Sequence, residues 1–130
     1  MVYLVDDDIE DLEITEEALV YNSYKGPVIT LQNGKVLMEQ LHQSALKKPD
    51  VIVLDLNMPI KDGFETLNEI KSSSKLQNIP VIVLTASTNM ADKIRCAELG
   101  CNLFFTKPNS LKDYNSIAQQ VKSFVNLKKS

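Results

Sequence analysis

Four consecutive apolar residues, Val51-Ile52-Val53-Leu54, end on the lone acid Asp55, and the chain then turns sharply. Such a run fits a strand buried on both faces of a parallel sheet. Asn57, Met58 and Pro59 prevent the strand from continuing, and Asp62-Gly63 supplies turn chemistry. In an open α/β sheet, ligands bind just outside the carboxyl ends of the strands. Asp55 therefore sits where chemistry is expected rather than where a solvated loop charge is expected.

The remaining segments repeat the theme. Val2 to Val5 reads as a buried strand, followed at once by Asp6-Asp7-Asp8 and a helix over Ile9 to Tyr21. The second strand is Pro27 to Leu31. Its helix runs from about Lys35 to Leu46, with Val36, Leu37, Leu41 and Ala45 expected inward. After Asp62-Gly63 a helix carries Phe64, Leu67 and Ile70. Val81 to Leu84 is a fourth strand ending on Thr85-Ala86-Ser87, and Asn89 to Leu99 a helix terminated by Gly100. Leu103 to Phe105 is a short strand ending on Thr106-Lys107-Pro108. Leu111, Tyr114, Ile117, Ala118, Val121 and Val125 give the last helix its period. Five strand–helix alternations with apolar strands call for an α/β fold: a five-stranded parallel sheet, right-handed crossovers, and five helices on both faces.

A chain of 130 residues suits one domain. A formal net charge of -3 argues against direct nucleic-acid binding. No segment is long and apolar enough to cross a bilayer and none reads as a signal peptide, so a cytoplasmic, uninserted protein is expected. Cys96 and Cys101 lack the further ligands of a metal motif and read as reduced packing thiols, and His42 as a surface or boundary side chain.

In a parallel sheet all carboxyl ends share one edge. Asp6, Asp7, Asp55, Thr85 and Lys107 can therefore converge although they are far apart in sequence. Three acids offset by one ammonium either take up protons or bind a cation. Carboxylates without Cys or His ligands suit Mg²⁺ or Mn²⁺. A carboxylate so screened can act as a nucleophile toward a phosphoryl group. Lys107, the Thr85 hydroxyl and the Ala86 backbone N–H would hold the phosphoryl oxygens. Each feature has a plainer reading: Asp6-Asp7-Asp8 as a helix N-terminus, Thr85 as a local cap, Lys107 as a surface charge.

The stretches LVDDD (Leu4 to Asp8), LDLNMPIKDG (Leu54 to Gly63), LTAS (Leu84 to Ser87) and FFTKP (Phe104 to Pro108) together resemble the receiver domain of two-component response regulators, of the stand-alone, chemotaxis-regulator-like kind. The resemblance spans essentially the whole chain. It implies strand order 2-1-3-4-5 and a flavodoxin-like, doubly wound sheet. It implies Asp55 as phospho-acceptor. Asp7, Asp55 and the backbone carbonyl of Asn57 would ligate Mg²⁺, with Asp6 acting through a metal-bound water. Thr85 and Lys107 would bind phosphate, and Thr85 and Phe104 would form the switch. A cis Lys107–Pro108 peptide is also implied. The donor would be a sensor histidine kinase or a histidine phosphotransfer protein, and the readout binding to a downstream protein, since no output domain follows residues 1–130. The chain would catalyse only its own phosphorylation and dephosphorylation. Asn57 and Ser87, polar and uncharged, are expected to tune the lifetime of the phosphate.

Other classes fit less well. A phosphatase of the haloacid-dehalogenase type wants an acid where Asn57 stands. A flavin-binding module would need a phosphate loop, and its cofactor phosphate would be repelled by the acidic edge. A degenerate receiver acting only as a scaffold would not need Asp7, Asp55, Thr85 and Lys107 intact.

Overall fold

The computed structural model describes residues 1–43 and 45–129, with side chains described as far as Val125. Strands β1 (Val2–Val5), β2 (Val28–Leu31), β3 (Val51–Leu54), β4 (Val81–Thr85) and β5 (Leu103–Thr106) alternate with helices α1 (Ile9–Tyr21), α2 (Gly34–Leu41), α3 (Gly63–Ser72), α4 (Met90–Leu99) and α5 (Leu111–Lys129). All strand pairs are parallel, and the order is β2-β1-β3-β4-β5. The α/β architecture and the order expected from the resemblance are both present.

The apolar runs are continuous because their residues divide between two cores. Tyr3, Val5, Ile52, Leu54, Val81 and Val83 face one layer, with Leu37, Leu67 and Cys96 from α2, α3 and α4. Val2, Leu4, Val51, Val53, Ile82 and Leu84 face the other, with Leu12 and Leu19 from α1 and Ile117 and Val121 from α5. The two-residue repeat of a strand makes this division automatic. Edge strands β2 and β5 are only half-buried over most of their length.

Four helices that follow strands begin on a side chain that caps them. Asp8 accepts from the N–H groups of Glu10 and Asp11, Asn33 from Val36, Asp62 from Glu65, and Asn89 from Ala91. Asp62 is thus the N-cap of α3 rather than a turn residue only. Gly63 follows it because a Cβ there would lie 2.5 Å from the backbone oxygen of Asp55. Close approach of α3 to the end of β3 requires glycine. Gly100, at φ 101°, closes α4: its N–H donates to Ala97 and that of Cys101 to Cys96. Both cysteines are free, Cys96 is buried, and burial pushes its thiol up to about 12.

Helix α2 differs from the expectation. It ends at Leu41, and Val36 and Ala45 are exposed, while Met38 takes an inward place. Part of the expected extension, Ser44, lies outside the described residues. The Lys48 ammonium donates to the carbonyl of Leu41 and so satisfies the end of the shorter helix. Leu111, expected inward on α5, is exposed. Among the described residues no helix is long and apolar enough to cross a membrane.

Candidate phosphoryl and metal site

The carboxyl edge of the sheet gathers the residues that sequence placed there. Asp6 follows β1 and Asp55 follows β3, and both are buried, whereas Asp7 is exposed. Adjacency of β1 and β3 brings these acids together: one oxygen from each of Asp6, Asp7 and Asp55 lies within 4.8 Å of the others. This is the topological switch point of the sheet: the crossover after β1 leads to β2 on one side, and that after β3 leads to β4 on the other.

Lys107 reaches into the cluster from the end of β5. Its Nζ lies 2.8 Å from Asp6 Oδ2, 2.6 Å from Asp11 Oδ2 and 3.7 Å from Asp55 Oδ2. The ammonium is held there by its neighbours. Burial pulls its pKa down, but hydrogen bonds to Asp11 and Asp6 and the charges of Asp55 and Asp6 outweigh burial, so it stays above the ordinary lysine range. Asp6 shows the opposite balance. Burial is the largest influence and pushes its carboxyl up to about 6; Lys107 and the Asp8 N–H oppose the rise and the Asp55 charge adds to it.

Asp55 Oδ1 is buried and has no hydrogen-bond partner. Buried polar atoms are rarely left so, and an orphan in a cluster of acids marks a place built for a further group. The donor set is hard oxygen only, which fits a divalent cation such as Mg²⁺ or Mn²⁺. Thr85 ends β4 fully buried, and Asn57 Nδ2 donates to its Oγ1 at 3.5 Å. Ala86 beside it is exposed and Phe104 is half-buried against the α2–α3–α4 core. Ser87 is engaged elsewhere: its hydroxyl donates to Asp92 at 2.7 Å and accepts from the Asn89 N–H, tying the loop to the start of α4.

Two outcomes differ from the sequence reading. The Lys107–Pro108 peptide is trans, as is every described peptide bond, so the expected cis bond at Pro108 is corrected. Trans is the lower-energy isomer for an X–Pro bond by about 0.5–1 kcal/mol, and Lys107 meets the acids from it. Asp11, an acid in the first turn of α1 that the sequence reading does not single out, makes the shortest contact to Lys107. No spacing marks this contact, because Asp11 and Lys107 stand 96 residues apart.

A sequence family described as the response regulator receiver domain matches residues 2–119. Response regulator Rcp1 from Synechocystis sp. (strain ATCC 27184 / PCC 6803 / Kazusa) is 38% identical over 128 residues, covering 95% of this chain and 87% of that one. Two solved structures are similar throughout. The phosphorylated cyanobacterial phytochrome response regulator RcpA superposes with a TM-score of 0.87 at 36% identity, covering 95% of this chain and 91% of the other. The Mn²⁺-bound form of Rcp1 superposes with a TM-score of 0.85 at 38% identity and the same coverage.

Proposed function

This chain belongs to the response regulator receiver domain family, and on that premise we propose that Asp55 is the acceptor of a phosphoryl group whose arrival switches a partner-binding face. The observation that carries the reading is the buried Asp55 carboxylate, with one oxygen unpartnered and the other 3.7 Å from the Lys107 ammonium. The donor is a phosphohistidine of a sensor histidine kinase or a histidine phosphotransfer protein.

Asp7, Asp55 and the Asn57 backbone carbonyl would hold Mg²⁺ or Mn²⁺, with Asp6 beside them. The cation, when bound, offsets the charge of the acids so that a phosphoryl group can approach. A carboxylate oxygen of Asp55 forms the new O–P bond as the donor's P–N bond breaks, and the imidazole leaves with the electron pair and picks up a proton. Lys107, Thr85 and the Ala86 N–H receive the phosphoryl oxygens. This is positioning and charge stabilisation, which phosphoryl transfer requires. The chain acts on itself and turns over no external substrate, so it is a signalling switch.

The dianion on Asp55 draws Thr85 and Lys107 inward, Phe104 turns toward the space that Thr85 leaves, and the surface of α4, β5 and α5 changes shape. This is a population shift biased by a local charge. The readout of this receiver is binding to a downstream protein or onward transfer to another histidine. Asn57, whose amide donates to Thr85, borders the route of an attacking water and, with Ser87 once its hydroxyl leaves Asp92, sets the phosphate lifetime.

Acetyl phosphate with Mg²⁺, followed by intact mass, tests the proposal. Wild type should gain the mass of one phosphate and Asp55→Ala none. No gain in wild type, or an equal gain in both, would overturn it.

A further inference from the structure

We propose that Asp11 is a positioning residue: it holds the Lys107 ammonium away from Asp55, and a phosphoryl group on Asp55 has to win Lys107 from it. The inference rests on reading Asp55 as the acceptor. Lysine carries three N–H donors and no acceptor. In this structure Asp11 and Asp6 occupy it at 2.6 Å and 2.8 Å, and the contact to Asp55, at 3.7 Å, is beyond hydrogen-bonding length. Two of its three donors are therefore committed elsewhere, and the ammonium stands short of hydrogen-bonding reach of Asp55.

Asp11 is set apart from the other acids. It does not belong to the trio whose oxygens lie within 4.8 Å of one another. Among the described residues, Lys107 is the only group that donates to its carboxylate. Its backbone is fixed on α1: its N–H donates to the Asp8 side chain and its carbonyl accepts from the Thr15 hydroxyl at 2.9 Å. The helix cannot follow a retreating lysine, whereas the four-carbon stem of Lys107 can swing. Phosphorylation then exchanges one charge-assisted hydrogen bond for another, and the bond to Asp11 is the part that opposes it. A ligand that needs a minor conformation binds more weakly by the fraction of time that conformation is present.

Removing the Asp11 charge should therefore strengthen binding of a phosphoryl mimic. The full chain, saturated with Mg²⁺, is titrated with beryllofluoride and followed by the amide signals of Thr85 and Phe104. Asp11→Asn should lower the half-saturating concentration about threefold to tenfold. Asp11→Ala, which keeps no acceptor in a helix that tolerates alanine, should lower it at least as much. Asp8→Asn is the control. It removes the same unit charge at the same helix end, keeps an N-cap, and touches no part of Lys107. Its shift should stay under about twofold. In a Lys107→Met background, Asp11→Asn should change nothing. Equal shifts from Asp8→Asn and Asp11→Asn, or an Asp11 effect that persists without Lys107, would overturn the latch while leaving the acceptor intact. A wild type that binds no beryllofluoride would overturn both.

Discussion

Asp6 carries the sharpest conflict of any single residue in this protein. It is buried beside Asp55, which disfavours its charge, and hydrogen-bonded to Lys107, which favours it. Burial prevails, and its pKa rises from 3.8 to about 6. A carboxyl that is more basic folded than unfolded gives stability that is complete below pH 3.8 and lost as pH rises through about 6. Glu69 works in the other direction: its hydrogen bond and ion pair with Lys61 lower its pKa, so its contribution is present above pH 4.5 and lost below. Between pH 4.5 and about 6, then, Asp6 sets the slope. With a chelator present, the melting temperature of wild type should fall across that window, and Asp6→Asn should flatten the fall. Parallel curves for the two proteins would show that the buried acid is not its cause. The sequence made the acids and the lysine visible, because each follows an apolar run. It did not reveal that Asp11 takes Lys107, since the two stand 96 residues apart and only the folded chain brings α1 beside the end of β5. Ile60 was equally opaque: it stands at φ 70°, exposed, where a β-branched residue is strained, and nothing in its neighbours' types marks it.

At the scale of elements, legibility followed burial. β1, β3 and β4 were readable because both faces are covered and every residue must be apolar. The far end of α2 was not, because its last carbonyl is satisfied by a lysine seven residues beyond Leu41, which hydrophobic spacing does not show. Helix α4 was readable in extent but not in how weakly it is held. Cys96 is its one buried residue, whereas α5 buries Tyr114, Ile117, Ala118, Val121 and Val125. Met90 and Ile94 of α4 are exposed, and Arg95 rests on the ring of Phe64 at 4.0 Å from its centroid. With so little apolar area anchoring it, α4 is the helix that a small change at Thr85 or Phe104 can displace. Hydrogen exchange under native conditions should find α4 amides opening at least about tenfold faster than those in the middle of α5. Equal protection in the two helices would contradict the idea that α4 is the loosely held part of the switching surface.

Across the whole molecule the two edges of the sheet are built on opposite terms. At the amino-terminal edge of β4 and β5 the polar groups are matched: Lys71 donates to the carbonyls of Gln77 and Ile79 and to Asn102 Oδ1, and Asn102 exchanges hydrogen bonds with the Val81 backbone. At the carboxyl edge Asp6, Asp7 and Asp55 crowd together with one oxygen unpartnered. One end secures the fold and the other keeps a charge imbalance that a proton on Asp6 or a bound cation relieves. A cation that binds the folded chain and not the unfolded one stabilises it by mass action, about 2.7 kcal/mol when its concentration is a hundred times the dissociation constant. Saturating Mg²⁺ should therefore raise the melting temperature by several degrees and reduce the loss of stability toward neutral pH, since the same acids are then compensated. Asp7 gives the discriminating variant. It is exposed, so replacing it by alanine should cost the metal-free protein little, and removing one of three like charges should tend to raise its stability. Asp7→Ala should thus melt at or above wild type in chelator yet lose the Mg²⁺-dependent rise. If both proteins gained equally from Mg²⁺, the cation would be acting on the general surface charge, and the carboxyl edge would not be its site.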